Sequence, residues 1–133
     1  MNYLLDTHTL LWALFEPNQL SKQARRIIKD STNTIEVSSV SFWEISLKFA
    51  LGKLEIPHTL PDELPAVTVE LGFDIVEPSA HLMASFYRLP IESKHRDPFD
   101  RLLIWTAIQG QRGLISKDRR LSHYHTLGLQ QIW

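Results

Sequence analysis

Apolar residues along this chain switch repeatedly between strand-length runs and helical spacing. Residues 2–6 form a short buried run, and Leu10, Leu11, Leu14 and Phe15 follow at helical intervals until Pro17. Leu20, Ala24, Ile27 and Ile28 mark one face of a second helix, from about Ser21 to Asp30, before residues 34–38 return to strand length. A helix is predicted from about Ser41 to Leu51, closed by Gly52, a residue type suited to helix ends. Leu54 to Pro65 is rich in proline and predicts irregular chain, followed by a short helix reaching Leu71. Phe73 to Glu77 alternates as a strand does, and Pro78-Ser79 opens a helix through Leu82, Met83 and Phe86. Asp97-Pro98 is a firm helix start, since aspartate caps well and proline suits the first helical position. That helix should run to about Gly110. Leu114-Ile115-Ser116 reads as a further strand, and Leu129 to Trp133 as a last one.

Strands separated by helices of this length predict right-handed crossovers and a mostly parallel sheet covered on both faces. The expected fold class is therefore α/β, a three-layer α/β/α sandwich. No repeat or linker divides the chain, so residues 1–133 are expected to form a single domain. In open sheets of this kind ligand sites gather beyond the carboxyl ends of the strands.

Composition narrows the class without naming an activity. With 44% hydrophobic and 22% charged residues the chain should fold, and no apolar stretch is long enough to span a bilayer. The start, Met-Asn-Tyr-Leu-Leu-Asp, lacks the basic and apolar regions of a secretory leader. The absence of cysteine excludes disulfides and thiolate metal sites and fits a reducing cytoplasm. A net charge of −1 gives no global drive toward nucleic acid, but the stretch from Lys94 to His125 is locally basic. Lys94, Arg96, Arg101, Arg112, Lys117, Arg119 and Arg120 there outnumber Asp97, Asp100 and Asp118. On charge alone this is a solvated face; around acids that held a metal it would also suit a phosphodiester.

Four carboxylates carry the chemistry. Asp6, Glu44, Asp100 and Asp118 each fall at a predicted strand end or in the first turns of a helix. Each also has a structural explanation. Asp6 and Asp118 could cap a turn, Ser41 with Glu44 fits a capping box, and Lys48 could pair with Glu44 one turn on. Asp97 is the natural cap before Pro98, while Asp100 falls in the first turn, where the helix dipole favours an acid. Ser116 could orient a carboxylate or a bound water, although a serine at a strand end often serves only the backbone. All four acids are nonetheless expected at one end of one sheet, which makes a hard, oxygen-rich pocket of the kind Mg²⁺ or Mn²⁺ prefers.

With those residues in hand, the chain resembles a PIN domain, specifically the toxin ribonuclease of VapBC-type toxin–antitoxin pairs. The resemblance runs along essentially the whole chain. It is carried by Leu4-Leu5-Asp6-Thr7-His8-Thr9-Leu10-Leu11-Trp12, by His95-Arg96-Asp97-Pro98-Phe99-Asp100-Arg101-Leu102-Leu103-Ile104, and by Ile115-Ser116-Lys117-Asp118. It implies that Asp6, Glu44, Asp100 and Asp118 are the catalytic and metal-binding acids. Thr7, Ser116 and Asp97 are auxiliary candidates, and Trp105 departs from the small residue more usual on its helix. It further implies RNA as substrate, a cognate antitoxin in the active-site groove, and a homodimer. Phe42, Trp43 and the Leu54–Pro65 segment could serve such contacts, with core packing the expected role of the two aromatics.

Other readings fare worse. A haloacid-dehalogenase-type phosphatase would want a second acid where His8 stands, and a receiver domain would want paired early acids. A catalytically inactive PIN-like module binding RNA or protein is the remaining alternative, and the four filled acid positions argue against it.

Overall fold

A computed structural model describes residues 1–133. Five strands, β1 (Asn2–Leu5), β2 (Thr34–Ser38), β3 (Asp74–Val76), β4 (Gly113–Ile115) and β5 (Gln130–Ile132), form one sheet in the order β3-β2-β1-β4-β5. Every pairing is parallel. The helices are α1 (Thr7–Phe15), α2 (Lys22–Lys29), α3 (Ser39–Ala50), α4 (Leu64–Glu70), α5 (Ala80–Ala84) and α6 (Pro98–Gln109). No helix is long and apolar enough to cross a membrane.

The period-two geometry of β1 explains the layers. Leu4 points to one face and packs with Leu103, Ile104 and Trp105 of α6, Leu89, Leu114, Leu121 and Tyr124. Leu5 points to the other, with Leu10 of α1, Ala24 of α2, Ile45 of α3, Leu64 of α4, Ile35, Val37 and Ile115. The expected three-layer sandwich is thus present, with a sheet that is wholly parallel. β1 lies at its centre, and Gly113 of β4 lets the neighbouring chains come close: a Cβ there would sit 2.8 Å from Tyr3 Cδ1 and 2.7 Å from Ile132 Cδ1.

Strand order places the site. The chain winds outward from β1 through β2 to β3, then crosses to the other side of β1 for β4 and β5. Between β1 and β4 the direction of winding reverses, and at such a switch point the loops leaving adjacent strands diverge and open a crevice.

Some expected boundaries shift. The helix predicted from Ser41 begins at Ser39 with Ser38 as its cap, Ser38 Oγ accepting from Val40 N at 3.1 Å. β2 runs into α3 with no loop, so Ser41 lies inside the helix, fully buried, and receives a hydrogen bond from Thr7 Oγ1 at 3.0 Å. The Ser41–Glu44 capping box therefore does not form. The helix after Ser79 is short, ending at Ala84 and tightening into a 3-10 turn over Ser85–Arg88. A nine-residue 3-10 stretch, Arg119–Leu127, fills a segment the apolar pattern left unassigned. Trp105 is accommodated in the core, its Nε1 donating to Ser85 Oγ at 3.2 Å.

Candidate active site

The crevice beyond β1 and β4 has a volume of about 520 Å³, and Asp6, Glu44, Asp97, Asp100 and Asp118 all line it. Asp6 is the single residue between β1 and α1. Its extended backbone lets its carboxylate accept from Thr9 N at 2.7 Å, and the Ser116 hydroxyl lies near enough to favour its charged form. Asp118 caps the Arg119–Leu127 stretch in the same manner, accepting from Arg120 N at 2.9 Å. Capping and site roles coincide: a cap must stand where a strand ends and a helix begins, which in this fold is the rim of the crevice.

Glu44 projects from the second turn of α3 and is only 3% exposed. Lys48 Nζ donates to its Oε2, as the spacing predicted. Its other oxygen, Oε1, is buried with no hydrogen-bond partner. A buried carboxylate oxygen left unmatched costs on the order of 1–3 kcal/mol, and this one is an acceptor available to a ligand in the crevice.

Asp97 caps α6 through Phe99 N at 2.9 Å and Asp100 N at 3.3 Å. Asp100, in the first turn, is approached by His95 Nε2 at 3.4 Å and by Arg120 Nη2 at 3.9 Å. Carboxylate oxygens of Glu44, Asp97 and Asp100 lie within 4.8 Å of one another, as do ligand atoms of His95, Asp100 and Asp118. Asp97, expected mainly as a cap, is thus part of the cluster as well. Of the other auxiliary candidates, Thr7 lines the crevice with its proton committed to Ser41, and Ser116 lies near Asp6 and accepts from the backbone N–H of Asp118 at 3.2 Å.

Burial and mutual repulsion dominate the electrostatics. Loss of solvent, then the charges of Asp97, Glu44, Asp6 and Asp118, push Asp100 up to about 7. Burial also raises Asp6, with the Ser116 and Thr9 hydrogen bonds acting against it. Asp118 moves the other way because the Arg120 guanidinium grips it, Nη2 to Oδ2 at 2.8 Å. Five carboxylates thus face Lys48, Lys53, Lys117 and Arg120 around one crevice. A small divalent cation fits this donor set: the ligands are hard oxygens, one buried oxygen lacks a partner, and one acid is held near neutrality by burial and by its neighbours.

Sequence reading missed part of this neighbourhood. His95 is fully buried behind Asp100, and His8 and Trp12, whose rings lie 4.4 Å apart, form one wall. Trp43, expected in the core, is 63% exposed with its ring edge-on to Phe99, whereas Phe42 does pack against the core. The clue to His95 lay within the His95–Ile104 run, where its offset of five residues from Asp100 did not suggest a contact.

The PIN-domain family model matches residues 3–127. The chain belongs to the PIN-domain family. This PIN domain is 31% identical over 123 residues to Ribonuclease VapC22 of Mycobacterium tuberculosis, a match covering 92% of each chain. Among solved structures, VapBC2 from Rickettsia felis bound to a promoter DNA fragment aligns with a TM-score of 0.68 at 18% identity, covering 99% of this chain and 98% of that one. VapBC-1 from nontypeable Haemophilus influenzae aligns at 0.66 and 17% identity, covering 99% and 97%. At those identities the structural likeness speaks for the fold, which it shares from end to end.

Proposed function

We propose that this protein is a Mg²⁺-dependent endoribonuclease (Mn²⁺ serving as well), the toxin of a VapBC-type pair, acting as one domain in a reducing cytoplasm. The observation that carries the reading is the convergence of Asp6, Glu44, Asp97, Asp100 and Asp118 on one crevice with a partnerless buried Glu44 oxygen. The 31% identity to a VapC ribonuclease supplies the class of substrate. No observation favours the inactive scaffold.

Asp6, Glu44, Asp100 and Asp118 would hold the ion, with Asp97 beside them. An ion held by these acids would supply positive charge against the scissile phosphate and a lowered pKa for an attacking water. The protein's own groups do the rest. Asp100 must shed its proton to serve as a ligand. Lys53, Lys117 and Arg120 at the rim attract phosphate oxygens. Thr7, which lines the crevice and donates its own proton to Ser41, can accept from a water there, while Ser116, which is buried, steadies the turn at Asp118. The His8 and Trp12 rings, tilted 39° to one another on one wall of the crevice, offer aromatic surface to an unpaired base.

Partners belong to the same proposal. The structural neighbours are VapBC assemblies, which supports a cognate antitoxin for this chain. Trp43, Leu47 and Leu51 are exposed apolar residues of α3 and the residue after it, close to the crevice, and suit contact with that antitoxin or with a second copy in a homodimer.

The test is incubation with a panel of structured RNAs, with Mg²⁺ or with EDTA, for wild type and for Asp6→Asn and Asp100→Asn. Cleavage should require the metal and be lost in both folded variants. Variants that cut like wild type would leave the acids as caps alone.

A further inference from the structure

Behind Asp100 lies a row of buried polar groups that the chemistry above does not use. Arg101 Nη1 donates to Tyr124 Oη at 2.8 Å, Tyr124 Oη lies 3.0 Å from His95 Nδ1, and His95 Nε2 lies 3.4 Å from Asp100 Oδ2. Arg101, Tyr124 and His95 are all buried. Arg101 is anchored further by Nη2, which donates to Leu89 O at 3.3 Å and Pro90 O at 3.1 Å.

The direction of the row follows from hydrogen-bonding capacity. A guanidinium has donors and no acceptor. At Tyr124 it must therefore donate, which uses the hydroxyl as acceptor and leaves its one proton for the other partner. That partner is His95 Nδ1. A neutral imidazole accepting at Nδ1 carries its proton at Nε2, the nitrogen that faces Asp100. Reversing the row would make both neighbours donate to Tyr124 and strand its proton, in a residue 1% exposed with no other side-chain partner. A buried unmatched donor costs on the order of 1–3 kcal/mol, so the forward direction wins.

This decides between two roles for His95. Its ring nitrogen shares ligand spacing with Asp100 and Asp118, which by residue type alone would be a metal site. An imidazole nitrogen that bears a proton has no lone pair for a metal. We propose that Arg101 and Tyr124 lock His95 as its Nε2–H tautomer, so that His95 positions the Asp100 carboxylate as a donor and does not join it as a metal ligand. The hydrogen bond engages Oδ2 and leaves Oδ1 free, and it steadies an acid whose other neighbours mostly repel it. The inference rests on the reading of Asp100 as a metal-binding acid.

The test begins with the wild-type, metal-free protein labelled with ¹⁵N at histidine. Long-range ¹H–¹⁵N spectra at pH 8 should show His95 protonated at Nε2 and bare at Nδ1, and Mg²⁺ should leave that pattern unchanged. In Tyr124→Phe the Asp100 carboxylate still accepts from Nε2–H but the ring loses its anchor at Nδ1, so Mn²⁺ affinity measured by electron paramagnetic resonance should fall about tenfold, the lower end for groups that orient a ligand. His95→Gln, which can present an amide donor near the old Nε2 position, should hold Mn²⁺ more tightly than His95→Ala. A wild-type Nδ1–H tautomer, or loss of the Nε2 proton on adding Mg²⁺, overturns the proposal. So does a Tyr124→Phe protein with unchanged Mn²⁺ affinity. None of these readouts uses RNA, so an Nε2–H protein that binds Mn²⁺ but fails the RNA assay described above would sink the nuclease reading and leave the positioning role of His95 standing.

Discussion

Two glutamates are buried in this protein, and they are treated in opposite ways. Glu36, in β2, is 6% exposed and meets Arg112 at both oxygens, Nε to Oε1 at 2.6 Å and Nη2 to Oε2 at 3.4 Å. Glu44, eight residues on, is 3% exposed, has Lys48 on one oxygen and nothing on the other, and stands among like charges. The first is a closed pair whose lone pairs and charge are matched from within the chain. The second is an open one. A fold can tolerate an unmatched carboxylate only where other contacts carry the stability, and here the open glutamate faces the crevice while the closed one ties β2 to the chain entering β4.

Substituting each in turn should separate the two roles, and this gives the largest effects. Glu44→Gln should lower RNA cleavage by roughly a thousandfold, corresponding to about 4 kcal/mol of lost ion binding and charge stabilisation. Its thermal stability without metal should stay within about 1 kcal/mol of wild type, because Lys48 is part-exposed and can turn to solvent. Glu36→Gln should do the reverse. It leaves the Arg112 charge short of a partner and should cost about 3 kcal/mol, toward the low end for a broken buried pair because Arg112 retains some solvent. Cleavage per folded molecule should hold. Denaturant melts and an RNA assay on the same preparations read both. If Glu44→Gln unfolded the protein and Glu36→Gln abolished cleavage, the contrast would be wrong.

Why the sequence displayed one glutamate and hid the other is instructive. Asp6, Asp100 and Asp118 were legible because each sits where local pattern places an element boundary, and parallel topology sends such boundaries to one edge; Glu44, in the second turn of α3, was legible through the family resemblance and not through a cap. Nothing local marks Glu36. A strand buried on both faces gives no alternation by which to judge an acid, and its partner Arg112 lies seventy-six residues away. The same limit hid the His95–Tyr124 contact, twenty-nine residues apart and reaching into a 3-10 stretch with no apolar period. The misplaced start of α3 has another cause. Ser38 and Ser41 are both good caps, and only the absence of a loop after β2 selects the earlier one.

A smaller effect sharpens the comparison through pH. Asp100 rises from 3.8 to about 7 in the folded protein through burial and the neighbouring acids. Between those values the folded state keeps a proton that the unfolded state has lost. Stability without metal should therefore fall as pH rises from about 4 to about 7, by more than the ~1.4 kcal/mol that a tenfold difference in proton affinity represents. His95 opposes this below pH 6.5, since burial and Arg120 lower its value. The difference between wild type and Asp100→Asn isolates the Asp100 contribution: the variant should gain on wild type as pH climbs through that window. Mg²⁺ at about a hundred times its dissociation constant should add about 2.7 kcal/mol to wild type and much less to the variant. Parallel pH profiles for the two proteins would mean that Asp100 ionises freely and the cluster is more hydrated than its geometry implies.

The smallest effect concerns the residue beside Glu44. Trp43 points away from the core, and its aromatic contact is the edge of Phe99, at 4.9 Å between ring centroids. An aromatic pair of this kind contributes about 0.5–1.5 kcal/mol, and little further area is lost on truncation, so Trp43→Ala should cost about 1 kcal/mol or less in a denaturant melt. Glu44 and Phe99, on the two helices that flank the crevice, should hold their places. Cleavage of RNA by the free protein should then change by less than about threefold, the equivalent of well under 1 kcal/mol. A large stability loss would show that Trp43 is held by more than Phe99. A large loss of cleavage with stability intact would instead extend the open, functional side of the comparison beyond the acids, making the exposed indole part of the surface that receives RNA.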